Sequence, residues 1–193
     1  MKKILILFLY IISTKIFSQV QFDKKEGFTH YVGELYQGGI IVSVYKDVEK
    51  VEHGLICSLT DISTSQIWTN VDQVQIGTAA QNRTNGQANT LAIINQTGHL
   101  ESAAKLCDDY SNADYNDWYL PAIGELNECY IEMNVINQVL GEDSGFHPVL
   151  YCSSTEDYFG NFAWYQNFSD GSKNDSFFYY KNDLFSVRAV RKF

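Results

Sequence analysis

The residues best suited to chemistry lie near the C-terminus, in the segment 157–183. Ten of its 27 residues are aromatic, which is 37%, against 15% for the whole chain. Asn, Ser, Gly and Asp residues separate the rings. Tyr and Trp offer large contact areas at low entropy cost, and Asn and Ser adapt their hydrogen bonds to a ligand. Rings flanked by polar groups also suit sugars. The segment therefore predicts a surface that binds a glycan or an extracellular protein.

Strand alternation turns about half of such rings towards a core, and burial is the alternative role for each of them. We expect Tyr158, Tyr165 and Tyr179 to be exposed. The predicted ligand-binding residues are Tyr158, Trp164, Tyr165, Asn167, Asp170, Asn174 and Tyr179.

Signatures of catalysis are weak. The four His residues are scattered, without the spacing of a zinc site. Residues 141–145 (GEDSG) resemble the Asp-Ser-Gly of serine proteases, but they follow a predicted helix end, where turn residues are common. No glycine-rich phosphate loop occurs. We therefore expect neither enzymatic activity nor a cofactor.

Calcium is a weaker alternative. The acidic stretches 108–117 and 170–175 each offer several oxygen ligands, and calcium takes six to eight. Neither stretch has the spacing of an EF-hand, so solvated acidic loops are the favoured interpretation and no metal ligand is assigned.

The first 18 residues are typical of a signal peptide. Lys2 and Lys3 precede an apolar run of nine residues, 4–12. This run is too short to span a bilayer, which takes about 20 apolar residues, but it has the length of a signal-peptide core. A buried N-terminal strand is the alternative. Cleavage after Ser18 predicts a secreted, periplasmic or cell-surface protein without membrane insertion.

The charge balance is acidic. The chain has 14 Lys+Arg and 23 Asp+Glu, a net charge of -9. Cleavage would remove three Lys and no acidic residue, leaving 11 basic and 23 acidic residues and a net charge of -12. Nucleic acids and anionic lipids both attract basic surfaces, so neither is an expected partner.

Hydrophobic periodicity predicts an α+β fold in one domain, residues 19–193. A helical face stepping by three or four runs from Leu120 to Leu140, with Pro121 in its first turn and Gly141 at its end. Asn89 and Thr90 can cap a short helix at 91–96, and a second short helix is predicted at 100–107. Strands are predicted at 38–45, 53–59, 149–155, 162–168, 176–181 and 185–190.

Several short segments, in order, resemble one family from about residue 30 to the end. They are Tyr36–Ile41, Gly54–Ile56, Ile76–Thr78, Asn89–Thr90, Ala103–Cys107, Asp117–Pro121, Glu125–Leu126, Cys152–Glu156, Ala163–Trp164 and Val187–Arg191. This pattern is similar to the Lcl C-terminal domain family of secreted bacterial domains. The resemblance implies a C-type-lectin-like fold, with a small twisted antiparallel sheet, two or three flanking helices and long loops. Distant relatives of that fold include the formylglycine-generating enzyme.

Four cysteines form an even set, which allows three pairings in an oxidising compartment, or none if all are buried thiols. The chain departs from the family pattern at two of them. An aromatic residue is usual where Cys152 stands, and a small apolar residue where Cys57 stands. This departure implies a Cys57–Cys152 disulfide, with Cys107 and Cys129 as a second pair or free.

Two arginines near the C-terminus, Arg188 and Arg191, are expected to form buried or half-buried ion pairs, with Glu125 or Glu156 as partner. The complete prediction is an exported, non-enzymatic recognition or adhesion domain. One alternative is an enzyme related to the formylglycine-generating class, which would need a reactive thiol pair. The other is a structural cell-surface component that acts by assembly.

Overall fold

The computed structural model describes residues 26–174 and 179–193, which form two sheets and three helices. The predicted signal peptide lies outside the described residues, as does part of the predicted strand 176–181. The strands are β1 (Leu35–Tyr36), β2 (Gly39–Lys46), β3 (Glu52–Cys57), β4 (Ser63–Ile67), β5 (Leu150–Glu156), β6 (Ala163–Asn167), β7 (Lys173–Asn174), β8 (Leu184–Val187) and β9 (Val190–Lys192). The helices are α1 (Gly86–Ile94), α2 (Ala103–Asp108) and α3 (Ile123–Leu140).

The first sheet is antiparallel, with the order β1-β2-β3-β9. β2 and β3 form a hairpin across the charged stretch 47–51. Strand β9 returns from the C-terminal end of the chain to pair with β3. The C-terminal Phe193 ring then lies 5.3 Å from the ring of Tyr36 and 5.5 Å from that of His30. Both ends of the described chain therefore meet at this sheet.

The second sheet has the order β4-β8-β5-β6-β7 and is mixed, because β5 and β8 are parallel where Tyr151 lies opposite Ser186. The α+β class is confirmed, but the expectation of one small antiparallel sheet is wrong. The predicted strand 185–190 is also two strands. The chain leaves the second sheet after β8, turns the buried Arg188 inwards, and joins the first sheet as β9.

The helices begin where local hydrogen bonds allow. The long helix is confirmed, and Gly141 ends it with a φ of 80°. Pro121, expected in the first turn, instead precedes the N-cap Ala122, where the Glu125 carboxylate accepts a hydrogen bond from the Ala122 N–H at 2.9 Å. Helix α1 starts earlier than predicted, since Asn85 is its N-cap and accepts from the Ala88 N–H at 3.1 Å.

Buried apolar side chains form two clusters. The first includes Ile56, Trp68 and Trp118 and receives helices α1 and α2. The second includes Leu126 and Phe168 and lies against α3. Within residues 26–174 and 179–193, no helix has both the length and the apolar character needed to cross a bilayer.

The four cysteines are buried free thiols, and their neighbours differ from the expected pairing. Cys57 lies in the second cluster with Cys129, whereas Cys152 lies in the first cluster with Cys107. The expected Cys57–Cys152 disulfide is therefore wrong for this arrangement. Side chains alternate along β3 and β5, and this alternation turns the two residues into different clusters.

Both C-terminal arginines form ion pairs, as expected, but with other partners. The Nε atom of Arg188 lies 2.9 Å from Oδ1 of Asp61. The Nε atom of Arg191 lies 2.6 Å from Oδ1 of Asp117. These carboxylates lie far away in sequence, and only the sheet topology brings them to the arginines.

Candidate ligand-binding cleft

A cleft of about 460 Å³ opens where β5 ends. Three segments surround it: the end of β5 with the following turn, the loop 77–85 that precedes α1, and strand β6. Its lining residues are Thr78, Gln81, Asn82, Arg83, Thr155, Glu156, Asp157, Tyr158, Phe159 and Trp164.

The turn after β5 raises two aromatic rings at the rim of the cleft. The Asp157 N–H donates to the Phe162 carbonyl at 3.0 Å, and the Asp157 carboxylate accepts from the Phe159 N–H at 2.9 Å. Gly160 supplies the positive φ of 73° that the turn needs. The Tyr158 side chain is 84% exposed and Phe159 is 66% exposed. Because the turn is braced, a ligand can contact the exposed Tyr158 ring at a small cost in conformational entropy.

The floor of the cleft contains a buried ion pair. The Glu156 carboxylate accepts from the Lys181 ammonium at 2.6 Å, and both side chains are inaccessible to solvent. It also accepts from the N–H groups of Ile76 at 2.8 Å and Gly77 at 2.6 Å. Burial lowers the pKa of Lys181, although the hydrogen bond and charge of Glu156 oppose this effect. Glu156 is therefore occupied in holding the loop at 76–77.

A buried asparagine holds the wall of the cleft. The side chain of Asn89, on α1, donates to the Asn82 carbonyl at 2.6 Å and accepts from the Asn82 N–H at 3.1 Å. Thr155 donates its hydroxyl to the same carbonyl at 2.9 Å. Asn89 also donates to the Ser154 hydroxyl at 3.3 Å. These polar family-motif residues thus support the loop beneath the cleft.

One charged side chain lies against an aromatic ring of the lining. The guanidinium carbon of Arg83 is 4.2 Å from the centre of the Trp164 ring, which is a cation–π contact. The Arg83 carbonyl accepts from the Gly124 N–H at 2.8 Å. A Cβ at position 124 would lie 2.5 Å from that carbonyl, so glycine permits the close approach of α3.

The structure brings two predicted ligand-binding residues, Tyr158 and Trp164, into this cleft. Tyr165 was expected to be exposed, but it is only 5% exposed. It alternates with Trp164 along β6 and therefore faces the core, where its ring stacks on Phe185 at 5.8 Å. Tyr179 is 36% exposed and meets the Tyr165 ring edge-on at 4.9 Å.

The other three predicted residues lie elsewhere. Asn167 lines a second groove, of about 620 Å³, together with Val149 and Leu184. Asp170 is exposed and accepts from the Ser172 N–H at 2.9 Å within a turn. The side chain of Asn174 is outside the described part of the structure. The seven predicted residues therefore do not form one site.

Sequence reasoning missed the residues that the loop 77–85 contributes. Gln81, Asn82 and Arg83 lie about 75 residues before the aromatic segment, and nothing in their own pattern predicts binding. The one available signal was the family segment at Ile76–Thr78, which marks this loop.

Three carboxylates of the two acidic stretches have partners within the described residues. Asp109 pairs with Lys105, Asp117 with Arg191, and Asp170 with Ser172. No group of three or more His, Cys, Asp or Glu suited to a metal ion occurs among the described residues. The calcium alternative therefore has no ligand cluster in this part of the chain.

The described residues form an α+β fold with two sheets, three α-helices and a cleft at the end of one sheet. Residues 58–191 match the family model of the Lcl C-terminal domain, and the chain belongs to that family. No curated protein matches the chain. A crystal structure of a fimbrial protein from Bacteroides ovatus is similar in fold, with a TM-score of 0.56 and 15% sequence identity. The similarity covers 79% of this chain and 43% of that one, so this chain spans less than half of the fimbrial protein.

Proposed function

We propose that this chain is an exported recognition domain that binds a glycan in the cleft at the end of β5. The observation that carries the proposal is the placement of Tyr158, Phe159 and Trp164 beside the polar side chains of Gln81 and Asn82. Aromatic faces pack against the C–H faces of a sugar, and amide groups exchange hydrogen bonds with its hydroxyls.

The electrostatics of the cleft suit a polar ligand with both donors and acceptors. Lys181 neutralises Glu156 beneath the surface. Arg83 contributes guanidinium donors, and the Gln81 side chain contributes an amide oxygen acceptor. The volume of about 460 Å³ also falls in the usual range for small-molecule sites, about 300–1,000 Å³.

The proposal includes a C-type-lectin-like variant of the fold and a location outside the cytoplasm. The return of β9 to β3, which brings the chain ends together, supports the first. The signal-peptide pattern of residues 1–18 supports the second. The similarity to a fimbrial protein is compatible with a surface location, which we propose for this chain.

The two alternative functions, an enzyme and a structural surface component, require different features of the protein. An enzyme of the formylglycine-generating class would need an accessible, reactive thiol pair. The burial of all four thiols favours the recognition role instead. A structural surface component would assemble as its concentration rises and would not need the cleft.

A glycan array tests the proposal directly. The full chain, exported and purified, is applied with calcium and again with a chelator. We expect selective sugar binding that survives chelation. A blank array from folded protein would contradict glycan recognition. Pull-down of an extracellular protein would then favour protein recognition, and concentration-dependent oligomers would favour the structural component.

A further inference from the structure

The four cysteines separate into two neighbouring pairs, one in each core cluster. Ile56 and Cys57 are consecutive on β3, and they enter the first and second clusters respectively. On β5, Tyr151 enters the second cluster and Cys152 enters the first. This strand alternation decides which thiol can reach which.

Cys57 and Cys129 are the two cysteines of the second cluster. Cys57 lies on β3 and Cys129 on α3, and both side chains are fully buried. Burial alone would raise the pKa of Cys57, but the Cys129 thiol and the nearby Arg188 charge bring it below its usual value. The fold thus places these two thiols in the same part of the core.

Cys107 and Cys152 are neighbours in the other cluster. Both are buried, on α2 and β5, and the two thiols interact electrostatically. Burial raises the pKa of Cys152 to about 12, and burial together with Cys152 raises that of Cys107. Four cysteines allow three pairings. Only the pairing of Cys57 with Cys129 and of Cys107 with Cys152 joins cysteines of the same cluster.

We propose that the exported protein carries a disulfide between Cys57 and Cys129, with Cys107 and Cys152 as the second pair. This inference rests on the proposed export, but not on ligand binding. The bond ties the first sheet to the long helix.

The chemistry balances through thiol–disulfide exchange with a small-molecule or protein disulfide. One thiolate of the pair attacks that disulfide, which releases a thiolate and leaves a mixed disulfide. The second thiolate then attacks the protein sulfur and releases the other half of the reagent. Two protons leave the protein, and the reagent disulfide is reduced to two thiols. The exchange takes place during folding, before the core buries the sulfurs.

Peptide mapping tests the pairing, because cleavage before Asp separates all four cysteines. The expected peptides are 47–60 with Cys57, 72–107 with Cys107, 117–142 with Cys129 and 143–156 with Cys152. The full chain is secreted from an oxidising host, alkylated without reduction, cleaved and analysed by mass spectrometry. A second sample is refolded with reduced and oxidised glutathione, which tests the pairing independently of export and of ligand binding.

We expect 47–60 linked to 117–142 and 72–107 linked to 143–156 in both samples. A link between 47–60 and 143–156, or four alkylated thiols in the glutathione-refolded protein, would overturn the proposal. In a Cys129→Ala variant, 47–60 should be recovered alkylated while 72–107 remains linked to 143–156. A changed partner for 72–107 would also count against the pairing.

Discussion

The ammonium of Lys181 lies 2.6 Å from the carboxylate of Glu156, and neither side chain is accessible to solvent. Lys181 also donates to the Val74 carbonyl at 3.1 Å and lies 4.8 Å from the centre of the Trp68 ring. Glu156 lies at the end of β5, immediately before the turn that carries Tyr158. The ion pair thus connects the aromatic turn to the loop 74–77 on the other side of the cleft.

Replacing Lys181 with methionine should strongly destabilise the fold. The substitution leaves Glu156 as a buried charge without its partner, which costs about 3–5 kcal/mol. Denaturant unfolding at neutral pH measures the change. Lys105→Met is the matched control, since its ion pairs are exposed and worth below about 1 kcal/mol. Similar losses in the two variants would contradict the structural role of the buried pair.

Asn89→Asp should destabilise the wall of the cleft. The substitution removes the amide donor to Asn82 and Ser154 and places a carboxylate near the Asn82 carbonyl. Loss of a buried hydrogen-bond partner costs about 1–3 kcal/mol. Gln87→Glu makes the same chemical change at an exposed position of the same helix and should stay within about 0.5 kcal/mol of wild type. Thermal unfolding measures the stability of both variants. Equal stabilities of Asn89→Asp and Gln87→Glu would count against the hydrogen bonds assigned to Asn89.

The hydrogen bonds and charge of Arg191 hold the pKa of Asp117 below its usual value of 3.8. A carboxyl group with a depressed folded-state pKa stabilises the fold above its unfolded-state pKa. This contribution is lost as the pH falls through the folded-state value. Carboxyl-carbon NMR titration should give Asp117 a pKa below 3.8 in the wild type and a higher one in Arg191→Gln. Arg83→Gln is the control and should leave the pKa of Asp117 unchanged. If Arg191→Gln also left that pKa unchanged, the ion pair between Asp117 and Arg191 would be refuted.

Tryptophan fluorescence should report on the cleft. Trp68 and Trp118 are 0% and 2% exposed, whereas Trp164 is half-buried at the cleft. Acrylamide should therefore quench Trp164 chiefly, and Trp164→Phe should remove most of the quenchable emission. Arg83→Ala should increase quenching, because it uncovers one face of the Trp164 ring. Unchanged quenching in Trp164→Phe would show that another tryptophan is exposed.

The parts of the structure with strong local periodicity were predictable from the sequence. Helix α3 repeats apolar residues over 18 positions, so its existence and its end at Gly141 follow from the pattern. The aromatic segment likewise supplied Tyr158 and Trp164. The inward direction of Tyr165 could not be predicted from the sequence. Strand alternation shows that neighbouring side chains face opposite sides of the sheet, but it does not show which side is buried.

Long-range partners were the least predictable part. Arg188 and Arg191 were expected to pair with glutamates, but the topology places Asp61 and Asp117 beside them. Arg83 reaches Trp164 from a loop 81 positions earlier in the chain. The cysteine pairing depends in the same way on which cluster each strand face enters. Such contacts follow from the order of strands, which no local pattern contains.

The most direct test of glycan recognition in the cleft is an affinity measurement with Tyr158→Ala. The Tyr158 side chain is 84% exposed, so its removal should leave the fold intact. Tyr45→Ala is the matched control, because Tyr45 is 55% exposed on β2 and does not line the cleft. Calorimetric titration with the strongest glycan from the array should give a Kd about tenfold weaker for Tyr158→Ala, a loss of about 1.4 kcal/mol, and no change for Tyr45→Ala. Wild-type affinity in Tyr158→Ala would contradict binding at this cleft.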